Sequence, residues 1–409
     1  MKLKTLMFIA GEPSGDVLAA ELVKALKESP EVQALAFPPR FFGAGGRHMA
    51  EAGVDLALDL TQHSVIGLSE ALAEYLRFKR IFDRLFQLAI KREPEVIVCV
   101  DFSGFNRRFA RAIKKYVRAH RGTFLNWDPK IVQYVSPQVW ASRPARAYQL
   151  ARDVDLLLTI LPFEKDWYAA RVPRLRVEFV GHPIVDRYAS RLEGLCATRP
   201  SGTPVLLLLP GSRDSELKRH LPVMFASAQR IQNQESVLLR MVLPTERLAE
   251  LAKPKTTALP RLHVQVGNLA ESLAEATVAI ASTGTVTVEC AYIGVPTVAI
   301  YKAAWSDYLI ASQILRVKHL AMPNLLAGEE IYPEFIQHGA TPDNVARAAL
   351  ELLNHPERRS AMKARLAQVA KSLGEPGASR RAAKGVLSLL DQKTVPIRPT
   401  SQSALGWTR

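Results

Sequence analysis

Asp101 closes the apolar run 95–100, and a carboxylate at the end of a buried run is placed to take a proton from a hydroxyl. The same residue type also serves there as an N-cap or turn aspartate. Glu12 lies in Gly11-Glu12-Pro13-Ser14-Gly15-Asp16, between a first apolar run and a first helical pattern. Ser14 or Asp16 can cap that helix, whereas Glu12 is a charge left for sugar hydroxyls or a proton. Pro210-Gly211-Ser212-Arg213 follows the apolar run Val205–Leu209. A tight turn with backbone N–H groups, a hydroxyl (Ser212) and a fixed cation (Arg213) is a seat for a diphosphate. In Ser282-Thr283-Gly284-Thr285, Thr285 opens a helix, and Glu289 lies one turn further, where a ribose diol could meet it. The amides of Asn324 and Gln337 suit uracil or sugar recognition and equally suit loop stabilisation; spacing alone does not decide. His182, in Val180-Gly181-His182-Pro183, reads as structural, and no residues stand at metal-ligand spacing.

These clusters need strands to end at them and helices to follow. Apolar runs at 6–10, 41–46, 95–100, 130–135 and 155–160 alternate with helical patterns such as 16–27 and 106–117. The alternation pauses over 181–203, which is rich in Arg, Gly, Pro and Ser and reads as a linker. It restarts with runs at 205–209, 238–243, 263–266, 278–281 and 297–301, and ends in a helical pattern over 356–390 broken at Gly374-Glu375-Pro376-Gly377. Strands alternating with helices predict parallel, doubly wound α/β sheets, whose ligands sit at the strands' carboxyl ends. Two Rossmann-like domains with an interdomain cleft are expected: 1–190 on the acceptor and membrane side, and 200–375 binding a nucleotide sugar. A C-terminal helix (376–392) and a loose tail (393–409) follow.

The bulk composition narrows the setting. Hydrophobic residues make up 48% and charged residues 23% of the chain, the balance of a globular protein. Three scattered cysteines build neither a disulfide framework nor a zinc site. No apolar run is long enough for a membrane span, which points to a cytoplasmic protein or one resting on a membrane. The net charge of +15 calls for an anionic partner, and no nucleic-acid motif accompanies it. Over 63–86, Val65, Ile66, Leu68, Leu72, Leu76 and Phe82 share the segment with Arg77, Lys79, Arg80 and Arg84. That pattern is either a core helix with snorkelled cations or a helix at a membrane interface receiving acyl chains.

Taken in order, these clusters resemble the lipid-A-disaccharide synthases, inverting glycosyltransferases of GT-B architecture. The resemblance extends to about residue 390. It includes Gly45-Gly46, Ser64–Leu68, Val100-Asp101 with Phe105-Asn106, Tyr134–Ala141 (YVSPQVWA), Leu161–Lys165 (LPFEK), Leu209–Arg213, Gly284-Thr285 with Glu289, Pro323–Gly328 and Pro333–Gln337. It implies that UDP-2,3-diacylglucosamine donates its sugar to 2,3-diacylglucosamine 1-phosphate, without a metal ion or other cofactor. Asp101 would be the base and Glu12 a second catalytic carboxylate. Ser14, Ser212, Arg213, Thr285, Glu289, Asn324 and Gln337 would contact substrates. The resemblance also implies a peripheral position on the anionic inner-membrane surface, with a homodimer as one assembly. Three positions depart from the family pattern: Gly104 replaces an acidic residue, Thr283 a serine and Ser142 a tryptophan. Competing readings are another UDP-sugar enzyme of the same architecture, such as a 2-epimerase or a polyprenyl-linked GlcNAc transferase, or a catalytically reduced UDP- and membrane-binding protein.

Overall fold

The computed structural model describes residues 4–60, 71–122, 126–195, 202–256, 259, 261–305, 308, 313–314 and 317–390. Val65, Ile66, Leu68, Cys196 and the 393–409 tail lie outside these residues. Leu72 and Leu76 fall on the helix Ala71–Arg92, where their backbone alone is described.

Among the described residues, thirteen strands form two sheets. The first contains β1 (Thr5–Ala10), β2 (Arg40–Gly45), β3 (Asp55–Asp59), β4 (Val96–Val100), β5 (Lys130–Tyr134), β6 (Leu156–Thr159) and β7 (Arg176–Phe179), in the order β3-β2-β1-β4-β5-β6-β7. The second contains β8 (Val205–Leu209), β9 (Leu238–Leu243), β10 (Leu262–Val266), β11 (Val278–Ser282), β12 (Thr297–Tyr301) and β13 (Glu334–Ile336), in the order β10-β9-β8-β11-β12-β13. The pairings β1–β2, β1–β4 and β4–β5 in the first sheet and β8–β9, β8–β11 and β11–β12 in the second are parallel. Both sheets are doubly wound, as the alternation predicts.

The runs are apolar without a period of two because both sheet faces are covered. In β8, Leu206 and Leu208 pack with Leu217, Leu221 and Met224 of the helix Asp214–Gln232. Leu207 and Leu209 pack on the opposite face with Leu273, Cys290 and Ala291. Each such buried leucine stabilises the fold by roughly 1.5–3 kcal/mol. Phe8, Ile9, Val98 and Val100 are equally buried in the first sheet.

The chain divides into two compact units. One takes the described residues within Met1–Tyr134, Asp153–Leu156 and Arg380–Arg409; the other takes Val135–Arg152 and Leu157–Ser379. The segment expected as a linker instead carries the helix Pro183–Leu195. Pro183 starts it where a missing N–H costs nothing, and Ile184, Val185 and Tyr188 bury against Ala270, Val288 and Leu373. The sequence pattern also passed over β3, β7 and β13, whose residues are only half-buried or exposed. The pattern over 356–390 is two helices, Pro356–Ser372 and Ala378–Leu390, flanking the Gly-Pro break.

Candidate active site

In the first unit, strand order reverses between β1 and β4, and the expected carboxylates follow these two strands. Ala10 pairs with Val100, so Gly11-Glu12 and Asp101 leave the sheet side by side. A Cβ on Gly15 would stand 3.6 Å from the Asp101 Cβ. A side chain on Gly11 would strike the Phe102 ring at 2.3 Å, so only glycine lets the two turns approach. Glu12 is the N-cap of the helix Pro13–Glu28, and its carbonyl accepts from the Asp16 N–H at 2.9 Å. Ser14 is exposed on the first turn. Asp16 is spent inside the fold: its carboxylate accepts from the N–H groups of Gly46 (2.7 Å), His48 (2.9 Å) and Met49 (3.1 Å). It thereby caps the helix Arg47–Glu51.

Asp101 and Phe102 are both left-handed, with φ of 46° and 42°. Two consecutive non-glycine residues in this region store strain of roughly 1–3 kcal/mol each. The surroundings hold the turn in place. The Asp101 N–H donates to the Tyr134 carbonyl (2.9 Å). The Asp101 carbonyl accepts from Asn106 Nδ2 (2.9 Å) and Gln133 Nε2 (3.3 Å). Asn106 Nδ2 also donates to the Val100 carbonyl at 3.2 Å. Asn106 and Gln133 are buried; Asn106 belongs to the motif the sequence sets beside Asp101, whereas nothing in the sequence marks Gln133. Phe102 stacks on Phe105 at 5.3 Å. Gly104 is exposed, and a Cβ there would touch nothing within 4 Å, so a side chain at this position would meet no steric obstacle.

Phe82, expected at the membrane or at acyl chains, is half-buried and packs edge-on against Phe105 (5.5 Å) and Phe109 (5.6 Å). It belongs to an aromatic cluster with Phe86, Phe105 and Phe109. Arg77, Lys79, Arg80 and Arg84, on the same helix, are exposed.

In the second unit, strand order reverses between β8 and β11, and Pro210–Arg213 and Thr283–Thr285 follow those strands. Gly211 has a φ of 122°, and any Cβ there would meet Glu216 Oε2 at 2.3 Å. Glu216 reaches back to accept from the N–H groups of Ser212 (2.8 Å) and Arg213 (3.3 Å). The turn's amides, read from sequence as open to an anion, therefore already hold a carboxylate. The Ser212 hydroxyl and the Arg213 guanidinium remain at the surface, Arg213 being 68% exposed with Glu216 at 3.9 Å. Asp214, next in line, is neutralised by two bonds from Arg247 at 2.5 and 2.8 Å, which hold its carboxyl below the usual range.

His220 is a further residue that the sequence did not mark. Its Nδ1 contacts the Pro210 carbonyl (2.7 Å), and its Nε2 accepts from the Lys302 N–H (3.1 Å). These partners require a neutral ring protonated at Nδ1, consistent with a pKa pushed down by burial. The ring thus ties the turn after β8 to the residue after β12.

Thr285 is exposed at the start of the helix Thr285–Ile293. Glu289, one turn on, is half-buried, and burial lifts its pKa to about 7 while Arg187 pulls it down. Gln337 follows β13; its Oε1 accepts from the Ala303 N–H (2.7 Å) and its Nε2 donates to the Ala303 carbonyl (3.3 Å). Asn324 is fully buried. Its Oδ1 accepts from the N–H groups of Ile331 (2.9 Å) and Tyr332 (2.8 Å), and its Nδ2 donates to the Tyr332 carbonyl (2.8 Å) and Glu334 Oε1 (2.7 Å). Both amides are engaged with the protein's own loops.

His182 is buried, with Nδ1 accepting from the Ile184 N–H at 3.2 Å, and burial holds its pKa down at about 4. Cys99 and Cys290 are buried thiols with pKa lifted to about 12, which keeps them unreactive at neutral pH. Among the described residues, no cluster of histidine, cysteine or carboxylates could hold a metal ion, and no helix is long and apolar enough to cross a membrane.

Comparison with known proteins adds to this geometry. The family described as lipid-A-disaccharide synthetase matches residues 6–386. A relative named lipid-A-disaccharide synthase, from Syntrophus aciditrophicus (strain SB), is 34% identical over 95% of this chain and 99% of its own length. Among solved structures, a UDP-N-acetylglucosamine 2-epimerase (so named provisionally) from Listeria monocytogenes superposes with a TM-score of 0.61 at 16% identity, over 97% of this chain and 99% of that one. The calicheamicin glycosyltransferase superposes with a TM-score of 0.58 at 15% identity, over 98% of this chain and 100% of that one. At these identities the structural likeness speaks for the shared two-sheet GT-B fold alone.

Proposed function

From the premise that the chain belongs to the lipid-A-disaccharide synthetase family, we propose that it joins UDP-2,3-diacylglucosamine to 2,3-diacylglucosamine 1-phosphate, giving the β-1,6-linked disaccharide 1-phosphate and UDP. The observation that carries the residue assignments is that both strand-order reversals are flanked by the chemistry the reaction needs. Carboxylates follow β1 and β4, and a cation with hydroxyls follows β8 and β11. Such reversals are where doubly wound sheets bind ligands.

Asp101 takes the proton from the acceptor's 6-hydroxyl as that oxygen bonds to the donor's C1. The C1–O bond to UDP breaks, and its electron pair leaves on the diphosphate. Attack from the face opposite UDP inverts the anomeric centre. Glu12 serves as a second catalytic carboxylate beside Asp101, and Ser14 contacts the acceptor. Ser212, Arg213 and Thr285 hold the diphosphate, where the Arg213 cation meets the developing charge. Glu289 accepts from the ribose diol. Asn324 and Gln337 shape the donor side by fixing their loops. Residues 1–190 would serve the acceptor and 200–375 the donor. The exposed cations at 77–84 and the charge of +15 support attraction to an anionic membrane surface, while a homodimer rests on the family resemblance.

The test is Asp101→Asn assayed with both acylated substrates, tracking UDP and disaccharide by mass. Loss of transfer with UDP-sugar binding intact is expected. Full activity would remove Asp101 from its role, and equal turnover of unacylated UDP-GlcNAc would favour the other UDP-sugar enzymes.

A further inference from the structure

Glu164 is a carboxyl group 1% exposed in a part of the chain that the proposed mechanism does not use. Burying a carboxylate is costly, and an apolar residue would fill the site more cheaply unless the group holds something in place. Its Oε1 accepts from the indole N–H of Trp140 at 3.0 Å, and its Oε2 from the Leu161 N–H at 3.2 Å. Ser136 and the backbone of Ile160 also draw its pKa down. Ser136 Oγ in turn lies 3.0 Å from the Tyr168 hydroxyl, which is itself buried. The motifs YVSPQVWA and LPFEK thus close on one buried carboxyl.

The indole so oriented meets Phe163 edge-on at 5.0 Å and sits in an apolar cluster with Leu161, Val317, Met322, Leu325 and Leu326. Three of these belong to the helix Met322–Ala327, which carries Asn324. Asn324 binds the backbone of 331–332 and the Glu334 carboxylate. Glu334 accepts from the N–H groups of Leu320 and Ala321, both at 2.9 Å, and opens β13, which leads to the Gln337 clamp on Ala303. A packed chain therefore runs from Glu164 to the carboxyl edge of the second sheet.

We propose that Glu164 is a positioning residue for the sugar donor: by fixing the Trp140 indole against the helix Met322–Ala327, it sets the donor-side loops. This rests on the assignment of the donor to the second sheet. The groups facing the carboxyl are neutral (Trp140, Ser136, the Leu161 N–H and the backbone of Ile160), with Tyr168 one turn along its helix. The facing residues of the 317–326 segment are apolar, and Lys165 and Asp166 are exposed. Burial lifts the carboxyl pKa to about 7, with the bonds from Trp140, Leu161 and Ser136 drawing it back down. Ionised, both oxygens accept; protonated, one must donate and loses a partner.

The experiment compares KM for donor and for acceptor in wild type, Glu164→Gln and Trp140→Phe between about pH 6 and 8. Glutamine mimics the protonated form. The variant-to-wild-type ratio of donor KM should rise from near one at the acid end to about fivefold at the alkaline end, one hydrogen bond's worth. Acceptor KM should keep a ratio near one throughout. Trp140→Phe should raise donor KM to the same level, and the double variant should add nothing further. A ratio constant with pH, donor and acceptor KM moving together, or additive variants would overturn the proposal. Arg213→Ala separates the two levels. If it leaves donor kcat/KM unchanged, the donor assignment itself fails. If it lowers donor kcat/KM while Glu164→Gln does nothing, only the role of Glu164 fails.

Discussion

Replacing Asn324 by aspartate exchanges one amide nitrogen for an oxygen at nearly constant shape, and the partners of that nitrogen set the cost. It donates to Glu334 Oε1 at 2.7 Å and to the Tyr332 carbonyl at 2.8 Å. With aspartate, two carboxylates would face each other at that separation. Their repulsion is about 6 kcal/mol at an effective dielectric constant near 20. The pair can escape by binding a proton, which costs about 1.4 kcal/mol for each pH unit above an ordinary carboxylate pKa near 4.3. That route caps the loss at about 5 kcal/mol at pH 8 and about 1 kcal/mol at pH 5. Protonation is favoured in the folded state only, so the folded pKa is raised. Stability is therefore retained at low pH and lost as pH rises. For a unit of this size the loss corresponds to a fall in Tm of roughly 10–20 °C at pH 8 and 2–4 °C at pH 5. Differential scanning calorimetry at the two pH values reads both numbers. A variant with wild-type Tm at pH 8 and lost donor binding at every pH would refute the reasoning, because Asn324 would then be meeting the donor directly.

Asp101→Asn should cost about 10²–10⁴-fold in kcat with little change in donor affinity, read by product formation and by calorimetric binding of UDP-GlcNAc. Asp16→Ala strands three backbone N–H groups, two of them in buried bonds, and should lower stability by about 3–5 kcal/mol; chemical denaturation checks it, and an unchanged midpoint would contradict the capping role. The His182 imidazole should titrate near pH 4 by NMR. Its pKa lies below the unfolded value of 6.5, so its contribution, about 3 kcal/mol, is present above pH 6.5 and lost as pH falls towards 4.

The placement of the candidate residues at strand ends was legible, because strand ends follow from apolar runs that stop at Asp101, Pro210 and Ser282. Strand order was not legible. Only the pairings of β1 with β4 and of β8 with β11 show that these ends flank the two reversals. Hydrogen-bond partners were equally hidden. An amide in a loop motif looks the same whether it meets uracil or four groups of its own chain, and Asn324 has the four. The Arg213-x-x-Glu216 spacing carried a capping-box signal, but arginine at the first position masked it. Nothing in the spacing marked His220, whose partners lie 10 and 82 residues away. The 181–203 segment misled because its arginines, glycines and prolines outweighed a short apolar stripe that only packing makes visible.

The Asp101–Phe102 turn joins these levels. Two residues in left-handed conformation are an unfavourable way to end a buried strand, and a simple turn aspartate has no need of them. The buried amides of Asn106 and Gln133 converge on the Asp101 carbonyl, so the fold spends two side chains on holding one strained peptide. Holding the main chain fixes where the Cβ of Asp101 points, beside the turn that carries Glu12. A base must be aimed before it can work, and aim matters more than affinity when the substrate hydroxyl has to be met within hydrogen-bond reach. Asn106→Ala should therefore lower kcat while leaving donor binding intact, the signature of a misdirected carboxylate. A variant that kept its kcat would show that the strained turn serves packing alone.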